Sequence, residues 1–190
     1  MEEAERRMGN IMKIKLDSNA NAALAFQAYE RQSDIDGVTI TPLRKHQSLE
    51  GSFMEYLRIT DGTIEKLQPE FELRQISISW AVPGRINAFH VHPKEIQNEI
   101  WTVVDGGLLV WLADVRADSP TNGVKRSVFL SGENPSQLYI PAGVAHGYKA
   151  ASDGALLIYS MDSQFDISDP NEGRLPWDFL GTDLWDDDRG

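Results

Sequence analysis

From about residue 36 onward, closely spaced turn signals cut the chain into short runs rich in Val, Ile, Leu and aromatic residues. The signals are Asp61-Gly62, Pro83-Gly84, Asp105-Gly106-Gly107, Asn122-Gly123, Pro141-Ala142-Gly143 and Asp153-Gly154. Between them lie Gly37–Pro42, Phe71–Trp80, Glu99–Val104, Leu108–Ala113, Val124–Leu130, Gln137–Ile140 and Ala155–Met161. Many short strands at this spacing predict an antiparallel sandwich or barrel. Upstream, the Ala-rich stretch from Asn19 to Arg31 carries Ala22, Leu24, Ala25 and Tyr29 as a weak helical stripe, which predicts one short helix. The expected organisation is an N-terminal extension with that helix over residues 1–34, one barrel over 35–185 and an acidic tail over 186–190. The Asp-rich stretch from Asp178 is expected to be solvated. A chain of 190 residues can bury the core of one such domain unaided.

The charge balance narrows the function. Eighteen Lys and Arg stand against 29 Asp and Glu, a net charge of −11. Phosphate-backbone and anionic-membrane affinity come mostly from Lys and Arg, so neither nucleic acid nor a membrane surface is an expected partner. The absence of cysteine excludes disulfides, thiolate metal sites and a Cys nucleophile. No run approaches the roughly 18 apolar residues of a membrane span, and residues 1–8 do not read as a signal peptide. The expectation is a cytoplasmic protein.

Three of the four histidines lie in a pattern. Gly84 to His92 reads G-x5-H-x-H. Side chains alternate along a strand, so His90 and His92 can share the inward face. Glu99 follows, with Glu95 nearer. Pro141 to His146 reads P-x-G-x2-H, a turn that can aim His146 at the same interior. The two stretches resemble the paired motifs of the cupin superfamily, whose metal-binding members hold one ion with two His and a Glu from the first motif and a His from the second. That resemblance implies His90, His92, Glu99 and His146 as ligands. Imidazoles and one carboxylate suit a divalent transition ion such as Fe, Mn, Ni, Zn or Cu. The alternative is a polar barrel lining without metal. No organic cofactor is expected.

A narrower resemblance covers Ile35 to Trp185. Asp114 to Gly123 resembles the D-x-R-x-x-S-P-T-x-G of the dTDP-4-dehydrorhamnose 3,5-epimerase family, and Leu138 to Gly147 resembles its (L/W)-Y-I-P-x-G-x-A-H-G. Gly51-Ser52-Phe53-Met54-Glu55 resembles the end of R-G-x-F-x-E, and Gln75 to Ser79 resembles Q-x-N-x-S. The resemblance implies an all-β antiparallel double-stranded β-helix, the cupin jelly-roll barrel, assembled as a homodimer. It implies epimerisation of a 4-keto sugar nucleotide by proton transfer beside the ketone. His90 maps to the base and Tyr159 to the acid, with Gln75, Arg85, Asn87 and His146 as substrate-binding candidates. Several family positions differ: Asn87 and Glu50 stand where the family has Arg, His92 where it has Gln, Glu99 where it has Lys and Phe165 where it has Tyr. The late segment whose Asp partners the base finds no counterpart, so the base is expected to lack a carboxylate. Trp80, Trp101 and Trp111 are expected in the core or cavity wall, and Tyr148 and Lys149 at the surface. Three functions therefore compete: a sugar-nucleotide epimerase, a metal-dependent cupin enzyme on a small polar substrate, and a non-catalytic sugar-binding cupin.

Overall fold

The computed structural model describes residues 14–26, 32–61, 63–65 and 71–185. They belong to two compact units, Met1–Arg31 and Gln32–Gly190. The start of the chain, the end of the Ala-rich stretch and the acidic tail over 186–190 lie outside the described residues. In the first unit α1 (Ser18–Ala23) forms part of the expected helix. The Asp17 side chain caps it by accepting from the backbone N–H groups of Asn19 and Ala20 at 2.8 and 3.0 Å.

The second unit is all-β. Its strands among the described residues are β1 (Thr39–Pro42), β2 (Lys45–Ser48), β3 (Gly51–Met54), β4 (Ile59–Thr60), β5 (Thr63–Ile64), β6 (Gln75–Ala81), β7 (Ile86–Val91), β8 (Glu99–Asp114), β9 (Lys125–Ser131), β10 (Ser136–Ile140), β11 (Val144–Met161) and β12 (Gly173–Arg174). The main sheet runs β1-β10-β8-β11-β7-β12, with β6 on β11 and β9 on β8. β2–β3 and β4–β5 form separate two-stranded sheets.

The turn signals at Asp105-Gly106-Gly107 and Asp153-Gly154 suggest breaks between strands. The structure instead places both inside continuous strands. β8 and β11 pair on both sides of the bend, with Ala155 opposite Gly106 and register shifts between Ala150 and Ala155 and between Leu156 and Leu157. Each long strand then serves two half-sheets. β8 pairs with β10 through Glu99–Trp101 and with β9 through Gly107–Ala113. β11 pairs with β7 around His146–Lys149 and with β6 through Ala155–Met161. Positions facing the main core switch from odd (Trp101, Val103) to even (Leu108, Val110, Leu112) across the bend. These register shifts turn the second half so that both inner faces meet in one core. Gly106 is required there: its φ is +67°, and a Cβ would lie 2.1 Å from the Gly154 carbonyl oxygen.

The C-terminal stretch is not solvated as far as Trp185. Leu184 and Trp185 are buried against Phe89, Ala113 and Ala145. Trp111 Nε1–H donates to the Leu184 carbonyl, and Trp185 Nε1–H donates to that of Trp177.

The D-x-R-x-x-S-P-T motif closes the β8–β9 connection. Asp114 is 1% exposed and accepts from Arg116 N, Nε and Nη2, Ser119 Oγ and Thr121 Oγ1. Arg116 Nη2 also donates to the Asp36 carbonyl, and Asp36 N donates to Thr121 Oγ1, which ties the entry to the barrel to this knot. Burial alone would raise the Asp114 pKa. The Arg116, Ser119 and Thr121 donors outweigh it and hold the carboxyl well below its ordinary range. A depressed folded pKa gives stability that is present above the unfolded value of about 3.9 and lost as pH falls. Asp114→Ala is expected to cost about 3 kcal/mol in urea unfolding, because it strands buried donors and the Arg116 charge. Asp114→Asn should show a smaller loss of stability than wild type between pH 5 and pH 3.

Candidate active site

A cavity of about 680 Å³ opens between β6, β7, β8 and β11 and is flanked by the segment 164–174. Alternation along β6 sets one wall. Gln75, Ser77 and Ser79 line the cavity, whereas Ile76, Ile78 and Trp80 face outward, with Trp80 74% exposed. Trp80 is therefore neither core nor cavity wall. Trp101 does line the cavity, and Trp111 packs with the C-terminal stretch. Tyr148, expected at the surface, is buried and also lines the cavity, because inward parity on this half of β11 is even. Lys149, on the opposite parity, is half-buried and its ammonium reaches the Trp185 carbonyl.

β7 brings Asn87 and His90 to the same cavity, although an odd spacing normally separates faces. Opposite the pair His146 and Tyr148 on β11, β7 places His90 and Asn87, so three steps on one strand match two on the other. Gly147 makes room for the extra residue, since a Cβ there would lie 2.3 Å from that of Ala88. Arg85 does not join the site. It precedes β7 in the turn closed by its N–H on the Val82 carbonyl and is exposed, away from the cavity-lining residues.

His90 is not left without a carboxylate. Its Nδ1 lies 3.2 Å from Glu172 Oε1, and its Nε2 lies 3.0 Å from Asn87 Oδ1. Glu172 arrives just before β12, which pairs with β7 so that Arg174 stands opposite His90. Burial lowers the His90 pKa to about 4, assisted by His146 and Arg174 and opposed by Glu172 and Glu99. The ring is thus neutral near pH 7 and able to accept a proton. Tyr159 lines the same cavity from β11, opposite Ser77 of β6. Burial raises its phenol pKa, the Ser77 contact opposes this, and Glu99 and Glu172 reinforce it, so the hydroxyl keeps its proton at neutral pH. Gln75 accepts from Phe165 N–H at 2.9 Å and donates to Ser77 Oγ, which fixes the flanking segment to β6.

Beneath His90 lies a second group. Among the described residues, ligand-type atoms of His92, Glu99 and His146 all fall within 4.8 Å of one another. Glu99 Oε1 is 2.9 Å from His92 Nε2, and Glu99 Oε2 is 3.7 Å from His146 Nε2. Trp101 Nε1–H and Gln97 Nε2–H donate to the same carboxylate at 2.6 and 2.8 Å. His92 turns Nδ1 to the Asn171 carbonyl, and His146 turns Nδ1 to the Val144 carbonyl. Those carbonyls hold the Nδ1 protons and leave both Nε2 atoms directed toward Glu99, the arrangement that outer carbonyls impose on ligating imidazoles. Without a cation, Nε2 of His92 must itself carry a proton to face a carboxylate. Burial alone would lower the His92 pKa; the Glu99 hydrogen bond and charge, with the Asn171 carbonyl, turn the shift upward. For Glu99, burial raises the pKa, but His146, His92 and Trp101 outweigh it and keep the carboxyl ionised. The fourth expected ligand, His90, is absent from this group, since its two nitrogens face Glu172 and Asn87. Glu99 rather than Glu95 belongs to it: Glu99 is 4% exposed, whereas Glu95 lies exposed at the cavity rim.

The sequence profile of the dTDP-4-dehydrorhamnose 3,5-epimerase family matches residues 32–179. The chain belongs to this family. It is 37% identical over 145 residues to the spore coat polysaccharide biosynthesis protein SpsL of Bacillus subtilis, covering 76% of this chain and 91% of that protein. It is 30% identical over 146 residues to a probable low-salt glycan biosynthesis epimerase of Haloferax volcanii, covering 76% and 90%. The dTDP-6-deoxy-D-glucose-3,5-epimerase of Legionella pneumophila, solved in complex with dTDP-4-keto-L-rhamnose, matches with a TM-score of 0.66 at 25% identity, covering 82% of this chain and 80% of that one.

The site also includes residues that sequence reasoning did not find. Arg174 comes from the two-residue β12 and Glu172 from just before it, with no hydrophobic pattern to announce them. Gln97 emerges only from its contacts with Glu99 and Ser163. The P-x-G-x-A-H-G stretch does have a visible logic: its His146 lines the cavity, and its Gly147 admits the β7 irregularity that brings Asn87 onto the face of His90.

Proposed function

We propose that the protein is an epimerase of a 4-keto sugar nucleotide, with His90 as base and Tyr159 as acid. The observation that carries this reading is His90, backed by Glu172 at 3.2 Å, in the same cavity as Tyr159. His90 removes the proton from the carbon beside the ketone, and the ketone oxygen takes up the charge as an enolate. Tyr159 returns a proton to the opposite face, which inverts the centre with no net redox change. Glu172 orients the imidazole and stabilises its protonated form. The polar wall of Gln75, Ser77 and Asn87 suits sugar hydroxyls. The chemistry belongs in the cytoplasm, and the exposed apolar stripe Ile76, Ile78 and Trp80 on an edge strand supports a homodimer.

A second feature of the reading is a divalent transition ion held by His92, Glu99 and His146. Its support is the convergence of both Nε2 atoms on one buried carboxylate. Bound there, such an ion supplies Lewis-acid stabilisation to developing negative charge.

Inversion at C3 or C5 of dTDP-4-keto-6-deoxyglucose tests the proton-transfer reading. His90→Ala is expected to lose essentially all turnover, and Glu172→Gln about 10²-fold in kcat. No inversion by wild type at high enzyme concentration would overturn it. Elemental analysis of the purified protein tests the ion: about one divalent ion per chain is expected in wild type, and none in His92→Ala. Absence of metal from wild type after reconstitution would remove the ion and leave the acid–base pair.

A further inference from the structure

Two adjacent residues of one segment hold both histidines of β7 and its end. The Asn171 carbonyl takes Nδ1 of His92, and the Glu172 carboxylate lies 3.2 Å from Nδ1 of His90. Whatever keeps that segment in register therefore serves the base and the buried group beneath it together.

Backbone pairing supplies the register only part of the way. Leu175 and Phe89 exchange hydrogen bonds at 2.9 and 3.1 Å, and Gly173 stands opposite Val91. In an antiparallel ladder the pairs that exchange bonds recur at every second residue, so the next falls at Asn171 and Pro93. Proline has no N–H, so the ladder has no donor for the Asn171 carbonyl. That carbonyl is left to His92 Nδ1. The Asn171 side chain takes over where the ladder stops. Its Oδ1 accepts from Lys94 N–H at 2.8 Å and from Glu95 N–H at 3.4 Å, and its Nδ2 donates to the Glu95 carbonyl at 3.0 Å. The side-chain amide thus stands in for a missing peptide group and ties the segment to the turn after His92.

We propose that Asn171 is a positioning residue for both histidines. Its side-chain amide sets the register at which its own carbonyl meets His92 and Glu172 meets His90. The inference rests on the epimerase reading above for its kinetic consequence. Both polar atoms of the amide are spent on the backbone of Lys94 and Glu95, so Asn171 acts through the histidines and not on the substrate. Its loss should fall on kcat and spare KM.

Two measurements on the full chain test this: steady-state kinetics on dTDP-4-keto-6-deoxyglucose, and NMR of the imidazole N–H protons without substrate. The Nδ1 proton of His92 is present whether Nε2 holds a proton or an ion, and the Asn171 carbonyl should protect it from exchange. Wild type is expected to show this resonance, identified by its loss in His92→Ala. Asn171→Ala should lose it to exchange with water and lose about 10-fold in kcat, with KM unchanged within about twofold. Asn171→Asp keeps the acceptor for the Lys94 and Glu95 N–H groups and should fall between the two. It also serves as the second variant if Asn171→Ala folds poorly. Ser168→Ala removes the Ser168 hydroxyl bond to Asp166 in the same segment and should match wild type. No protected His92 proton in wild type, one that persists in Asn171→Ala, a loss confined to KM, or equal losses in Ser168→Ala would overturn the proposal. The two claims separate. Inversion by wild type with kcat and the His92 proton indifferent to Asn171 sinks this inference and spares the epimerase reading. Without inversion by wild type the epimerase reading falls, and the His92 proton alone judges the role of Asn171.

Discussion

The pairing of β8 with β11 from end to end holds the rest of the structure in place. The ladder runs from Glu99 opposite Met161 to Asp114 opposite Val144, and it survives the bend where Gly106 meets Gly154. Because both strands bend together and both change inward parity there, one pair of strands builds two half-sheets around one core. The functional residues inherit their places from it. Glu99 and Trp101 sit on the first half of β8; His146 and Tyr148 sit on the first half of β11, and Tyr159 on its second. β6 and β7 then hang on β11, and Gln75 and His90 face the same cavity.

The site is organised around two carboxylates at different depths. Glu99 is buried and bonded to His92, Trp101 and Gln97, and its charge survives desolvation because those donors compensate it. Glu172 is exposed on the cavity wall and bonds both His90 and Arg174. The difference sets the chemistry each can do. A buried carboxylate facing two imidazoles can hold an ion or anchor the floor. An exposed one backing an imidazole can support proton transfer. The two systems stand apart because the His90 nitrogens face Glu172 and Asn87, whereas His92, two residues on, faces Glu99.

The fold class was legible because the turn signals and β-rich runs agree with one another. The motifs also pointed to His90, Glu99, His146 and Tyr159, all of which line the cavity. What alternation alone could not show was the irregular backbone. Asn87 and His90 share a face only through the β7–β11 register shift, and Arg85, two residues from Asn87, is left in a turn. Glycines at 106 and 154 read as turns but are bends, because whether a glycine ends a strand depends on whether its neighbours keep their ladder. Glu172 and Arg174 belong to a short segment whose placement is set by tertiary pairing with β7, and no local periodicity encodes that. Outward Trp80 misled for a related reason: β6 turns its polar face to a wet cavity, which reverses the usual sense of inside.

The account stands or falls on two groups acting on opposite faces of one carbon. The most direct measurement is deuterium uptake from D2O at C3 and C5 of dTDP-4-keto-6-deoxyglucose, followed by NMR for Tyr159→Phe beside His90→Ala. On the proposed mechanism, proton removal by His90 precedes protonation by Tyr159, so Tyr159→Phe should exchange deuterium without inverting the centre, and His90→Ala should do neither. Undiminished exchange in His90→Ala would contradict the account.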